Sequence, residues 1–196
     1  MTVAPPAATV TLPNDQEASG RSFDDAELQL VAEALRSGTL TSTKGTMVAR
    51  FEKAVAELIG VEHAVACASG SAAVHAAVAV VDPEPGDEII TTSITDMGAL
   101  APIVYEGAVP VFADTDPVTG NITADSVAAV LSDRTRAIIV THLFGNPADV
   151  VGIREVAAKA GVPVVEDSAQ AYLAGTPLGL VGSVGEYGAF SLQQGK

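Results

Sequence analysis

Lys196 has the chemistry of a covalent amine nucleophile. It comes shortly after an apolar run that ends in Phe190-Ser191, and Gly195 precedes it directly. A lysine just past a strand, beside a hydroxyl and a glycine, attacks a carbonyl carbon when its pKa is lowered. The ordinary explanation of such a lysine is a solvated charge, and the segment taken alone favours it. The nucleophile is therefore a hypothesis that depends on the rest of the sequence.

Polar residues also follow two other apolar runs. Asp167 follows the run 162–165, within the stretch Glu166-Asp167-Ser168-Ala169-Gln170, and His142 follows the run 137–141. A carboxylate at the end of a strand can accept a hydrogen bond from a protonated ring nitrogen and keep the ring charged. The commoner explanation of an isolated aspartate there is a helix N-cap. His142 is a further candidate for the same pocket.

The stretch Ala68-Ser69-Gly70-Ser71-Ala72-Ala73 joins a predicted strand to a predicted helix. Glycine permits a tight turn, and the first N–H groups of a helix have no partner within the helix. Gly70, Ser71 and Ala72 therefore predict an anion-binding turn that suits a phosphate group. The alternative is a strand-to-helix turn that simply requires a small residue.

The elements that would position these residues alternate between strands and helices. Helices are predicted at 22–38, 46–59, 71–80, 123–131 and 150–160, with a short one ending near Gly107; strands are predicted at 64–68, 88–92, 109–113, 137–141, 162–165 and 188–191. This alternation indicates an α/β fold with a mostly parallel central sheet flanked by helices. Ligands of such sheets bind outside the carboxyl ends of the strands, where the polar residues above lie.

The first two helices have clear end signals. Ser22 is the predicted N-cap of the first helix, and Gly38 and Gly60 are the predicted ends of the two helices. One stripe of the second helix is apolar and predicts its buried face: Met47, Phe51, Val55 and Leu58.

Composition and charge exclude several classes of function. The 196 residues carry 24 Asp and Glu against 10 Lys and Arg, so a net charge of -14 disfavours nucleic acid and anionic membranes as partners. No apolar run reaches the ~18 residues of a spanning helix. The single cysteine excludes an internal disulfide framework and a cysteine-based zinc site, and no metal site is expected. Residues 1–20 lack the pattern of a signal peptide and are interpreted as a flexible arm, so we expect a cytoplasmic protein.

In their order, these segments resemble the DegT/DnrJ/EryC1/StrS family of sugar aminotransferases that depend on pyridoxal 5'-phosphate (PLP). The landmarks run from about Ser37 to Lys196: Thr41, Phe51-Glu52, the Ala68–Ala73 turn, Gly86-Asp87-Glu88, Gly107 to Phe112, Asp114, Asp116, His142 to Gly145, Glu166 to Gln170, Val181-Gly182-Ser183, Phe190-Ser191 and Lys196. The resemblance implies an aspartate-aminotransferase-like (fold-type I) domain at 21–196. It also implies a small C-terminal domain that is absent from this chain.

The resemblance further implies a role for each candidate residue. Lys196 would hold the cofactor as a Schiff base and shuttle the proton, and Asp167 would pair with the pyridine nitrogen. Gln170 would pack near the ring and its phenolic oxygen. The turn at Gly70, with the backbone of Ser71 and Ala72 and the hydroxyl of Ser191, would hold the phosphate.

One segment departs from the family pattern. Asp96 stands where the family usually has an aromatic residue stacked on the ring, so either Met97 makes that contact or the pocket is built differently. We also expect Thr41 and His142 to contact the substrate.

The expected function is transfer of an amino group from glutamate or glutamine to a keto group of a nucleotide-linked deoxysugar or a cyclitol, by a homodimer. Two alternatives remain, a dehydratase of the same fold and a non-catalytic paralogue. The family's dehydratase branch generally lacks the Schiff-base lysine, so Lys196 argues against the first. The joint presence of Asp167, Ser191 and Lys196 argues against the second. A dinucleotide-binding domain is disfavoured because its glycine fingerprint is missing.

Overall fold

The computed structural model of the protein describes residues 23–193. Within them the chain divides into two units, of which the first ends at Met47 and the second begins at Val48. The predicted arm at 1–20, the predicted N-cap Ser22 and the predicted nucleophile Lys196 lie outside the described residues.

The first unit contains helix α1 (Asp25–Ser37). Asp24 caps this helix, because its carboxylate accepts the N–H of Ala26 at 2.7 Å while Glu27 accepts the N–H of Asp24 at 2.7 Å. Such a reciprocal pair satisfies backbone donors that the helix itself leaves free. The helix ends at Gly38, as predicted, and the left-handed backbone of that residue (φ 66°) favours glycine.

The second unit is an α/β fold, as the sequence predicted. Its elements are α2 (Met47–Ile59, of which Met47 is the last residue of the first unit), α3 (Gly70–Val81), β1 (Glu88–Thr92), α4 (Met97–Tyr105), β2 (Val109–Ala113), α5 (Ala124–Val130), β3 (Thr135–Thr141), α6 (Val150–Ala160), β4 (Val164–Asp167), β5 (Gly175–Thr176), β6 (Gly179–Leu180) and β7 (Tyr187–Ala189). Five parallel strands form the central sheet in the order β2-β1-β3-β4-β7. The short strands β5 and β6 form a separate antiparallel hairpin.

Helices cover both faces of the central sheet. Successive side chains of a strand point to opposite faces, so neighbours in the sequence enter different cores. One core joins α3 and α4 to the sheet through Ile89, Ala137, Ile139, Val165 and Ala189. The other joins α5 and α6 to the sheet through Ile90, Ile138, Val140 and Val164. This alternation also determines the face on which each residue at a strand end lies.

Ion pairs join the ends of β1 and β3 at the amino-terminal edge of the sheet. Arg136 donates to Asp87 at 2.7 Å, and Arg134 pairs with Glu88. The hydrogen bond from Arg136 is the main cause that holds the pKa of Asp87 below its ordinary value. Hydrogen bonds from the Ser132 hydroxyl and then from Arg134 lower the pKa of Glu88.

The predicted strand at 64–68 is wrong. In the described residues this segment forms no strand and no ladder with the sheet, and the N–H of Ala66 instead donates to a Glu52 carboxylate oxygen at 2.9 Å. Val65 is 84% exposed. A β-strand requires a partner strand for its backbone groups, and an apolar run alone does not supply one.

Other predictions differ in detail. The buried residues of α2 are Ala56 and Ile59, one position beyond Val55 and Leu58 of the predicted stripe. β4 begins at Val164 rather than at residue 162, because Gly161 caps α6 and the N–H of Val162 donates to the Ala157 carbonyl of that helix at 3.1 Å. β7 covers Tyr187–Ala189 rather than 188–191, and the β5–β6 hairpin was not predicted.

Candidate functional site

Polar residues from several strands and loops meet at the carboxyl edge of the sheet, on the face that α3 and α4 cover. Thr141 at the end of β3 lies opposite Asp167 at the end of β4, and Asp167 lies opposite Ala189 of β7. Ser191 follows two residues after Ala189. The hydroxyl of Thr95, in the loop after β1, approaches the Thr141 hydroxyl at 3.4 Å. Loops and strand ends from four strands therefore converge at this place.

Asp167 occupies the last position of β4 and is 6% exposed. One carboxylate oxygen accepts the N–H of Ala169 at 3.2 Å. Turns follow at 169–170 and 172–173 instead of a helix, so the alternative interpretation of Asp167 as a helix N-cap is wrong. The carboxylate belongs to the strand end, as the ring-nitrogen hypothesis requires.

The N-terminus of α3 lies against Ser191. A Cβ atom added to Gly70 would lie 2.8 Å from the Cβ of Ser191 and 3.3 Å from its hydroxyl oxygen. This is closer than carbon atoms pack, so only a glycine permits the contact. The predicted anion-binding turn and the predicted phosphate-binding hydroxyl are therefore neighbours in the structure.

Ala72 differs from the other members of this turn. Its N–H donates to the Ser69 hydroxyl at 3.1 Å, which caps α3. The Ala72 N–H is thus already occupied in this structure, contrary to its expected part in phosphate binding. Within residues 23–193, no acceptor is found for the N–H groups of Gly70 and Ser71. These two donors, at the positive end of a 12-residue helix, remain for an anion.

Asp96 and Met97 begin helix α4 beside this turn. Asp96 is the N-cap, since its carboxylate accepts the N–H of Gly98 at 2.8 Å. Gly98 lies so close to the Ser71 hydroxyl that a Cβ atom would overlap with it. Met97 is 68% exposed. The cap position of Asp96 was not predicted, although an aspartate before an apolar helix is a common signal for it.

His142 is fully buried on the opposite face of the sheet. Its Nδ1 accepts the N–H of Ala148 at 3.0 Å, and its Nε2 lies 3.0 Å from a carboxylate oxygen of Glu166. Both ring nitrogens are occupied by the protein, so the imidazole offers neither to a ligand. The structure thus places His142 away from the pocket residues with which the sequence analysis grouped it.

Glu166 is a fully buried carboxylate. Besides His142, the backbone N–H groups of Gly182, Val184 and Gly185 donate to it at 2.9, 2.8 and 2.7 Å. Burial raises the pKa of the carboxyl group, but these hydrogen bonds outweigh burial and hold the pKa below its ordinary value. Glu166 is therefore ionised within the core.

Gln170 and Phe144 form a contact that the sequence analysis missed. The Gln170 side-chain oxygen accepts the N–H of Phe144 at 3.2 Å, and Phe144 has a left-handed backbone (φ 51°) with an 86% exposed side chain. Asn121 holds this turn, because its side chain accepts from Leu143 at 3.1 Å and donates to Asn146 at 2.9 Å. A bulky residue in this conformation is strained and persists only where its surroundings fix it.

Thr41 and Lys196 are not placed at the site by the structure. Thr41 lies in the first unit, where its carbonyl oxygen accepts the N–H of Gly45 at 2.8 Å. Lys196 lies outside the described residues. Substrate contact by Thr41 and cofactor attachment at Lys196 remain predictions.

A cavity and two absences complete the description of the residues 23–193. A cavity of about 490 Å³ lies among Asp116, Asn121, Asp149 and the β5 strand, and none of the predicted site residues lines it. No group of three or more His, Cys, Asp or Glu side chains within 23–193 is placed to hold a metal ion. None of the described helices is long and apolar enough to cross a bilayer.

Comparison with known proteins identifies the family. Residues 21–196 match the model of the DegT/DnrJ/EryC1/StrS aminotransferase family. The chain belongs to this family. It is 38% identical over 169 residues to the GDP-perosamine synthase of Caulobacter vibrioides, covering 86% of the chain and 45% of the relative. It is 43% identical over 141 residues to the UDP-N-acetyl-3-dehydro-alpha-D-glucosamine 3-aminotransferase of Acidithiobacillus ferrooxidans, covering 72% and 38%.

Solved structures of family members share this fold. An aminotransferase from Psychrobacter cryohalolentis superposes with a TM-score of 0.84 at 39% identity, over 89% of the chain and 44% of that protein. A GDP-4-keto-6-deoxymannose-3-dehydratase, solved with GDP-perosamine bound, superposes with a TM-score of 0.79 at 27% identity, over 86% and 45%. The chain thus spans less than half the length of these relatives.

Proposed function

We propose that this chain is the cofactor-binding part of a PLP-dependent aminotransferase. The enzyme transfers an amino group from glutamate or glutamine to a keto group of a nucleotide-linked deoxysugar or a cyclitol. One observation carries the proposal: the carboxylate of Asp167 and the turn at Gly70 with Ser191 lie on the same face of the same sheet edge. Relatives named for amino transfer to a dehydro sugar support the substrate class.

The residues at this edge fit PLP. The cofactor has a phosphate, which suits the two N–H groups at the start of α3 and the hydroxyls of Ser71 and Ser191. It also has a pyridine nitrogen, which suits the Asp167 carboxylate, and this contact would keep the nitrogen protonated. Gln170 follows Asp167 by three positions and would contact the ring. The absence of a side chain at Gly70 lets Ser191 lie against the start of α3, where its hydroxyl would join the two N–H groups around the phosphate.

Each group of the chain has a separate task in this proposal. PLP, when bound, supplies an electron sink for the carbon that carries the transferred nitrogen. Asp167 holds the proton on the ring nitrogen and so maintains that sink. Lys196, which the sequence predicts as the attachment point, would hold the cofactor covalently and move a proton to and from the reacting carbon.

The proposed enzyme is a cytoplasmic homodimer. The donors described at the phosphate site are backbone N–H groups and hydroxyls, whereas Arg134 and Arg136 are paired at the opposite edge of the sheet. A doubly charged phosphate would therefore gain from a cation that another part of the assembly supplies. We expect the full-length protein to elute as a dimer that persists on dilution, and an active monomer would contradict this part of the proposal.

The test of the proposed function is product analysis. The full-length protein is incubated with PLP, glutamate or glutamine, and a panel of nucleotide-linked keto sugars and cyclitol ketones. Mass spectrometry should detect a product in which one C=O has become CH–NH₂, together with the keto acid of the donor. The Lys196→Ala variant is the control and should give none. Absence of any amine product across the panel, with PLP bound, would contradict the assignment.

A dehydratase is the second candidate, because a dehydratase is among the similar structures. The same assay separates the two functions, since a dehydratase would release a product that has lost a hydroxyl group and would leave no amine on the sugar. A non-catalytic paralogue would bind no PLP and consume no donor. The presence of Lys196 in the sequence favours the aminotransferase over both.

A further inference from the structure

We propose that the buried pair Glu166 and His142 positions the cofactor-binding residues Asp167 and Ser191. The two neighbouring acids then have different tasks. Asp167 contacts the cofactor, and Glu166, on the opposite face of the sheet, fixes the end of β4 through its hydrogen bonds. This inference rests on the proposed function, because the positioned residues are the proposed PLP contacts.

The alternation of side chains along β4 separates the two carboxylates. Val165 enters the core beneath α3 and α4, and Val164 enters the core beneath α5 and α6. Asp167 therefore shares the face of α3, whose N-terminus is the proposed phosphate site, while Glu166 lies on the other face. Glu166 is fully buried there and has no access to a ligand.

Hydrogen bonds make Glu166 a junction between three segments. One carboxylate oxygen accepts the N–H groups of Val184 and Gly185, and the other accepts from Gly182 and His142. Four donors satisfy both oxygens of the ionised group, which is the condition for a stable buried carboxylate. The junction therefore joins β4, the turn after β3 and the loop 182–185.

The tautomer of His142 is fixed by its second contact. Its Nδ1 accepts the Ala148 N–H at 3.0 Å, so Nδ1 carries no proton and the proton resides on Nε2. Nε2–H then donates to Glu166. His142 thus links the segment before α6 to the end of β4 through these two hydrogen bonds.

The loop 182–185 is packed tightly against the segment that leads to Ser191. A Cβ atom at Gly182 would overlap with the Phe190 ring, and a Cβ atom at Gly188 would overlap with the Gly182 carbonyl. A Cβ atom at Gly185 would lie 2.7 Å from the Val164 carbonyl oxygen. Because the backbone of the loop contacts the Phe190 ring and the backbone of Gly188, a displacement of the loop would shift Phe190 and, through the chain, its neighbour Ser191.

Two substitutions of His142 separate the effect of its hydrogen bond with Glu166 from the effect of its hydrogen bond with Ala148. His142→Asn retains an acceptor for the Ala148 N–H but loses the donor to Glu166, whereas His142→Gln retains a donor near the Nε2 position. Glu186→Gln is the matched control. The Glu186 carboxylate also accepts a backbone N–H of β4, from Val164 at 2.7 Å. It is not among the hydrogen-bond partners of Glu166 and His142 within the described residues.

The experiment uses the full-length protein and three readouts: the dissociation constant of PLP, the absorbance maximum of the bound cofactor, and the exchange rates of the Gly182, Val184 and Gly185 amides without cofactor. For His142→Asn we expect faster exchange, a shifted absorbance maximum and an affinity loss of about tenfold or more, by analogy with residues that orient the ligands of a bound metal ion. His142→Gln should restore most of each readout. Glu186→Gln should bind PLP as the wild type does.

The amide-exchange readout separates this inference from the proposed function. If wild-type protein binds no PLP, the proposed function fails, but exchange at 182–185 still shows whether Glu166 and His142 hold the loop. The positioning proposal is overturned if folded His142→Asn has wild-type exchange at these amides, or if it binds PLP with wild-type affinity and absorbance. A purely structural role would lower the thermal midpoint and leave the absorbance maximum unchanged.

Discussion

Replacement of Gly70 by alanine directly tests the proposal that a phosphate binds at the anion-binding turn. The new methyl group would lie 2.8 Å from the Cβ of Ser191, whereas carbon atoms pack at about 3.5–4.0 Å. Ser191 must therefore move by roughly 1 Å, or the start of α3 must tilt. The Ser191 hydroxyl oxygen, 3.3 Å from the added atom, moves with it.

The cost to folding should be small. Overpacking lowers the free energy of unfolding by about 1–3 kcal/mol, and alanine in place of glycine in a helix raises it by about 1 kcal/mol. The free energy of unfolding should thus fall by about 0–2 kcal/mol. A hydrogen bond to a charged group contributes about 1.5–3 kcal/mol, so loss of the Ser191 contact to phosphate should weaken PLP binding roughly 10- to 100-fold.

The assay is a PLP titration of the full-length Gly70→Ala variant, followed by absorbance, with the thermal midpoint measured on the same preparation. Gly175→Ala is the matched control, because a Cβ atom at Gly175 meets nothing within 4 Å. It should leave both measurements unchanged. If Gly70→Ala folds and binds PLP with wild-type affinity, the phosphate does not lie at this turn.

Three further predictions concern the carboxylates and the lysine. Asp167→Asn should leave the thermal midpoint nearly unchanged and lower the turnover number strongly with PLP still bound; an unchanged rate would mean that Asp167 does not contact the ring. Lys196→Ala should bind PLP without covalent attachment, seen as the absence of a cofactor-modified peptide after borohydride reduction, which should fix PLP on Lys196 in the wild type; its turnover should fall by several orders of magnitude, and near-normal turnover would refute the assignment. Acid should destabilise the fold, because the pKa values of Asp87, Glu88 and Glu166 are lowered in the folded state. Their stabilisation is present above the unfolded pKa values and is lost as the pH falls below about 4. Urea unfolding at pH 7 and pH 3.5 measures this loss, and equal midpoints would contradict it.

Four of the five central strands, β1 to β4, were predictable because each is a short run with β-branched residues and has turn signals near its ends. The predicted bounds of β1 at 88–92 and β2 at 109–113 are those observed. The predicted strand at 64–68 has the same local pattern, yet it forms no ladder in the described residues. The local pattern shows that a segment is able to form a strand. Whether it does so depends on a neighbouring strand with which its backbone can pair.

Part of the candidate site also followed from the order of the strands. The sequence placed Asp167 and Ser191 at the carboxyl edge, and their shared face then follows from the parallel pairing of β4 with β7. The prediction that His142 lies in the same pocket used only its position at the carboxyl edge of the sheet and not the face of the sheet to which its side chain points. Counting from Val140, which packs beneath α5 and α6, places His142 on that same face.

The left-handed turn at Phe144 had no signal in the sequence. Its conformation depends on side chains 23 and 26 positions away, Asn121 and Gln170, whose contacts exist only in the folded chain. Neither propensity nor periodicity contains that information. Tertiary hydrogen bonds here determine a backbone conformation that the local sequence disfavours.

The opposite orientation of Glu166 and Asp167 limits how this chain can change in length. A deletion or insertion of one residue within β4 would turn the Asp167 carboxylate into a core of valines and isoleucines and would turn Glu166 away from the loop amides that donate to it. Only a change by two residues would preserve both environments, and β4 has four. Natural and engineered length variation should therefore accumulate in segments such as the exposed turn at 117–120, and scanning single-residue deletions across 160–192 should give a profile that is intolerant from Val164 to Asp167.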